Sequence, residues 1–315
     1  MRHAADGTPE VQPHAGAPGR WVRERRLGAI STRPPWPVWY APAALVILVP
    51  LALAAVIPVF ILDTVIVALA GIELGAGELS TAAAVAAFAV QDAVAILTAV
   101  LFAGHRQALR LAQLGLYGVS WRRAGAWVAG GTGAALGFEM LYLDLVSAAG
   151  DRGAAGLGSS VDAFAPDHAP LSPLAVGVTI CVLAPIAEEI FFRGFVYVAL
   201  RSRLGVGAAA GLDALLFASV HYRGGDWWIA LPVVAVLGLV LCLVYECVGS
   251  LYPLIAIHAL FNAFYLAEES VPTALGFAAV MLAACALAPR VLPEARAPGR
   301  RGALGSVDRL RPAPA

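Results

Sequence analysis

Apolar runs long enough to cross a bilayer recur along most of this chain, and they restrict its fold more than any other feature. A hydrocarbon core of about 30 Å takes roughly 20 apolar residues in a helix. Runs of that order occupy 38–62, 81–103, 124–147, 173–200, 205–221, 227–248, 250–267 and 272–289. Backbone groups in lipid must be bonded within their own segment, so such runs are helices rather than open strands. Composition agrees. Of the 315 residues 60% are hydrophobic and 13% charged, about half the charged share of a soluble domain. The expected fold is all-α, a polytopic transmembrane helical bundle of about eight spans. The first apolar run continues to Ile72, but Pro50, Pro58 and Asp63 interrupt it. A kinked helix and a helix followed by a re-entrant piece are both open there.

Charge in the loops orients the bundle. The 21 basic residues are all arginine, and arginine collects on the cytoplasmic side. Arg20, Arg23, Arg25, Arg26 and Arg33 precede the first span. Arg106, Arg110, Arg122 and Arg123 follow the second, Arg201 and Arg203 the fourth, and Arg290, Arg296, Arg300 and Arg301 the last. The alternate loops carry Glu73 and Glu78, then Asp151, Asp162 and Asp167, then Glu268 and Glu269. Eight spans with both termini cytoplasmic fit this alternation. Residues 1–37 and 291–315, rich in Pro, Gly, Ala and Arg, read as disordered cytoplasmic tails around a transmembrane domain at 38–290. The first tail lacks a cleavable signal pattern. With zero net charge and no basic domain, the expected partner is the lipid bilayer, not nucleic acid. Cys181, Cys242, Cys247 and Cys285 lie in apolar stretches without CxxC spacing, as small buried hydrophobes do. Gly133 and Gly137 read as a site of close helix packing.

Ionisable residues inside such runs are costly and face the bundle interior or water. The fourth run holds Glu188, Glu189 and Arg193. Glu189 and Arg193, four apart, share a face and can pair. Glu188 points away and has no local partner, so it is free to act as an acid or base. An ion-pair cluster that only braces the bundle is the alternative. The fifth run places Asp213, Phe217 and His221 on one face, and the seventh places His258 and Asn262 on one face. Each could equally be packing or interhelical hydrogen-bond glue. Counted from the turn near residue 203, Glu188 and His221 each lie roughly 20 Å along their helices. His258 lies only roughly 12 Å from its own helix start, a gap that tilt or an early start must close.

The order Glu188-Glu189-xxx-Arg193, Phe217-xxx-His221, His258-xxx-Asn262, each motif on its own apolar helix, resembles the CAAX-protease/bacteriocin-processing (CPBP) family over 170–267. The resemblance implies a membrane endopeptidase. Glu188 and His221 would activate the attacking water, Glu189 and Arg193 would orient them, and His258 and Asn262 would hold the oxyanion. It leaves the cofactor open between none and a divalent metal such as zinc held by Glu188, His221 and His258. The lack of HExxH and the spread over three helices favour the metal-free form. Asp213 departs from the small polar residue expected there; it reads as a water-mediated partner of His221 or an interface charge. The implied partner is a peptide or protein substrate at the membrane, and the expected location is the bacterial plasma membrane. A non-proteolytic immunity-like or scaffold protein of the same fold is the competing reading. A proton-relay transporter is disfavoured, since no internal repeat is visible.

Overall fold

The computed structural model describes residues 34, 36–71, 80–105, 108–149, 172–222 and 227–291. The expected tails and acidic loops fall almost wholly outside these residues. Eight helices follow one another: α1 (Tyr40–Ala70), α2 (Thr81–Gly104), α3 (Trp121–Ala148), α4 (172–201), α5 (Val206–Ser219), α6 (Trp227–Val248), α7 (Leu251–Glu269) and α8 (Val271–Val291). No strand occurs among the described residues. Six of the helices, α1, α2, α4, α6, α7 and α8, are long and apolar enough to cross a membrane.

The first run is neither broken nor re-entrant. Pro50 and Pro58 sit inside one continuous helix of 31 residues, which ends where Gly71 turns left-handed at φ 65°. Each proline removes one backbone bond, but stopping the helix in lipid would orphan a whole turn. At 1.5 Å per residue α1 is about 46 Å long, so it must tilt to fit the bilayer. Val46, Leu53, Ile61 and Leu69 are exposed along it, as lipid-facing residues are. Asp63 is the buried polar exception, accepting from both the backbone N–H (3.1 Å) and the hydroxyl of Ser80 at the start of α2. Ser80 in turn caps α2 by accepting from the N–H of Ala83 at 3.2 Å.

The fifth run is shorter than its apolar stretch. Helix α5 has 14 residues, about 21 Å, and ends before His221. The Gly133/Gly137 expectation also fails. A Cβ at either position would meet nothing within 4 Å, whereas one at Gly131 would come 2.8 Å from Ile257 Cδ1. Gly131 is therefore where α3 closes on α7.

Helices α4, α6 and α7 form the buried centre. Helix α2 packs on α1 and on α4, α3 on α6 and α7, α5 on α6, and α8 on α7. Helix α4 is itself composite. Thr179–Leu183 and Glu189–Tyr197 wind as π-helix between α-helical segments, one of which is Ala184–Glu188. Such widened turns are frequent at functional sites.

Candidate active site

The π-helical segment of α4 presents Glu189 and Arg193 to the bundle centre. Arg193 Nη1 donates to Glu189 Oε1 at 2.9 Å, and both side chains are 0% exposed. A buried guanidinium needs compensation on every side. Its Nε lies 3.4 Å from Asp213 Oδ2 on α5, which is also 0% exposed. Its Nη2 donates to the carbonyl of Gly238 on α6 at 3.2 Å. Its carbon sits 4.3 Å from the centroid of the Phe217 ring, a cation–π distance. A Cβ at Gly238 would come 3.1 Å from Arg193 Nη2, so glycine lets α6 reach the cation.

Asp213 therefore does not serve His221. It is a second counter-ion to Arg193, and it also accepts from Cys242 Sγ at 3.2 Å. The pairing of Glu189 with Arg193 was legible from spacing; its extension to Asp213 was not. Cys181, Cys242 and Cys285 are buried thiols, Cys247 is half-buried, and none forms a disulfide.

In front of this buried layer stands Glu188, 22% exposed, with His221 at 24%. His221 Nε2 and His258 Nε2 each lie 3.7 Å from Glu188 Oε2. The other ring nitrogens are held from behind. His221 Nδ1 is 2.7 Å from the Phe217 carbonyl, which can only accept, so Nδ1 carries the hydrogen. His258 Nδ1 is 2.9 Å from Glu189 Oε1. His221 lies in the turn beyond α5, its N–H donating to the carbonyl of Ala218 at 3.0 Å, and its ring packs 4.6 Å from that of Phe217. Asn262 Nδ2 donates to the carbonyl of Ile180 at 2.6 Å. Glu188, Glu189, Arg193, His221 and His258 thus form one connected cluster, while Asn262 is anchored to the first π-helical turn.

The depth gap at His258 closes through a feature no motif announced. The chain between α2 and α3 forms a short 3₁₀ turn, Leu111–Leu114, and Gly115 reverses it at φ 83°. The N–H of Leu251 donates to the Gly115 carbonyl at 2.9 Å, and Ser250 Oγ donates to the Tyr117 carbonyl at 2.6 Å. The same turn lies against Gly194, where a Cβ would be 2.8 Å from the Leu114 carbonyl oxygen. Helix α7 consequently starts level with Gly194, not with the end of α4 at Arg201. From that level, six residues back to Glu188 and seven forward to His258 cover about 9 Å and about 10 Å.

Asp92 on α2 is a further residue of this region that sequence reading missed. It is half-buried, on a helix that packs on the Ala184–Glu188 segment. It is the one charged residue of α2, and that isolation in an apolar run was the available signal.

Among the described residues no three or more His, Cys, Asp or Glu side chains are grouped to hold a metal ion. Both imidazoles are directed at a single carboxylate oxygen.

No curated protein and no solved structure matches the chain. Residues 170–264 match the family model described as Rce1-like, type II CAAX prenyl endopeptidase Rce1-like. That stretch runs from the start of α4 to the middle of α7 and contains all three motifs. The chain is thus a multi-pass membrane protein by its apolar helices, and its 170–264 segment is similar to the type II CAAX prenyl endopeptidase Rce1-like family.

Proposed function

We propose that the protein is an intramembrane endopeptidase that hydrolyses a peptide bond of a membrane-associated substrate without routing any step through a metal. The observation that carries this reading is the pair Glu188 Oε2 and His221 Nε2, two acceptors 3.7 Å apart on side chains that are both partly exposed. With its Nδ1–H committed to the Phe217 carbonyl, His221 offers a lone pair at Nε2. One water can donate a hydrogen to each acceptor, which leaves its own lone pair free to attack.

In the reaction the water proton passes to the Glu188–His221 pair as its oxygen bonds to the scissile carbonyl carbon. The carbonyl oxygen takes the negative charge; Asn262 donates to it, and so does His258 in the doubly protonated form whose Nδ1–H faces Glu189. One amide hydrogen of Asn262 is held by Ile180, and the second is available. Collapse of the intermediate breaks the C–N bond, and the stored proton goes to the leaving amine. Glu189, Arg193 and Asp213 hold the ring of His258 and the face of Phe217 in place from behind.

The test is cleavage of reporter peptides by the purified full-length protein in lipid nanodiscs, wild type against Glu188→Ala at matched folded fraction. Cleavage lost in the variant supports the reading. Wild-type activity in Glu188→Ala ends it, and no cleavage by either leaves the immunity-like or scaffold role as the better account.

A further inference from the structure

The two ends of the bundle differ in charge and in packing. Arg110, Arg122, Arg201, Arg203 and Arg290 lie in the connections and helix termini of one end. Arg201 Nε pairs there with Glu246, which ties the end of α4 to the end of α6. The connections of the other end hold more Asp and Glu than arginine, and Asp144 and Glu268 lie near the ends of α3 and α7 on that side. Arginine marks the cytoplasmic side. Glu188 and His221 lie roughly 20 Å from it along α4 and α5, beyond the middle of a layer of about 30 Å.

Between the site and the arginines the protein is solid. Every residue of α4 from Glu189 to Leu200 is buried. Phe195, Tyr197, Leu241 and Tyr245 fill that half of the bundle, none more than 1% exposed. Packing of this kind leaves few voids that water could occupy, and no room for a peptide. The other half of α4 is open among the described residues. Leu174 and Val178 are exposed, and Val182, Ala184, Ile186 and Glu188 itself are half-buried. Helix α5 stops at Ser219, and Tyr222, next to His221, is 55% exposed. The site is therefore reached from the end opposite the arginines.

We infer that the scissile bond is presented from the non-cytoplasmic side, so that the substrate is a polypeptide segment already exported and lying in the outer leaflet, not a segment of a cytoplasmic protein. Leu174, Val178 and Val182 give such a segment an apolar track that ends at Glu188. The reaction in this inference rests on the endopeptidase reading above; the side to which the site opens does not.

The test uses the full-length protein in sealed membrane vesicles, right-side-out and inside-out. The probe is a mixture of internally quenched peptides carrying sulfonated dyes, which do not cross the bilayer. Intact right-side-out vesicles should cleave it at the rate seen after detergent permeabilisation, and intact inside-out vesicles not at all. Cleavage by intact inside-out vesicles overturns the proposal. A second readout needs no activity. Tyr222→Cys, in a chain that also carries Cys247→Ser to remove the half-buried native thiol, should react with a membrane-impermeant maleimide in right-side-out vesicles only. Labelling in inside-out vesicles alone, or equally in both, overturns the assigned side. Should permeabilised vesicles cleave none of the peptides, the endopeptidase reading fails, and the labelling at Tyr222→Cys still decides which way the site opens.

Discussion

At the scale of single residues, the six motif positions divide into two layers that should respond differently to substitution. Glu188 and His221 act on one water in the proposed reaction. Glu188→Ala, His221→Ala and the double variant should therefore lose similar amounts of cleavage, because residues working as a unit are non-additive. Losses that multiply in the double variant would show two separate roles. Asn262→Ala should lose less, on the order of 10²–10³-fold, as removal of one oxyanion donor does. The layer behind is structural as well as functional. Arg193→Met strands two buried carboxylates, Glu189 and Asp213, and should cost about 3–5 kcal/mol. Glu189→Gln should cost less, since Asp213 remains on the guanidinium, and Glu188→Gln least. Thermal melting in detergent gives the order; equal melting of all three variants would mean the triad contributes nothing to stability.

At the scale of elements, the turn between α2 and α3 sets where α7 begins. Gly194→Ala would drive a Cβ to within 2.8 Å of the Leu114 carbonyl oxygen, a backbone atom that cannot rotate aside. The expected cost is about 1–3 kcal/mol for overpacking, with cleavage reduced because His258 loses its level. Circular dichroism should show unchanged helix content. A variant with wild-type melting and cleavage would show that the contact is not limiting. This turn also marks the limit of what the sequence discloses. Charges in apolar runs stand out, so Glu188, Glu189, Arg193, His221, His258 and Asn262 could be singled out, and i,i+4 spacing tied Glu189 to Arg193. Asp213 was visible with two readings open, and the interface charge rather than the partner of His221 is what the packing of α5 on α4 gives; no local spacing encodes that packing. Asp92 carries no motif, and Leu111–Leu114 looks like any polar-flanked connection. The end of α5 at Ser219 was equally hidden, since the apolar run goes on to Val220.

At the scale of the whole molecule, membrane sidedness follows from arginine placement, and we expect both tails on the cytoplasmic side. Ala155→Cys and Gly305→Cys should be labelled from opposite faces of sealed vesicles by a membrane-impermeant maleimide; labelling from the same face would require an odd number of crossings between them to be abandoned. The brevity of α5 has a bearing on hydration. Starting beside the arginines of the 201–203 turn, a helix of about 21 Å stops roughly 9 Å before the far edge of a 30 Å hydrocarbon layer. The backbone after Ser219, with His221 in it, then runs non-helically at a depth where polar groups tolerate only protein or water around them. On the endopeptidase reading, the reaction draws water from one side of the membrane, and we propose the short end of α5 as its inlet. Amide hydrogens of 220–222 should accordingly exchange with solvent far faster than those of 213–217 in the same short helix, and equal protection of the two stretches would close that route.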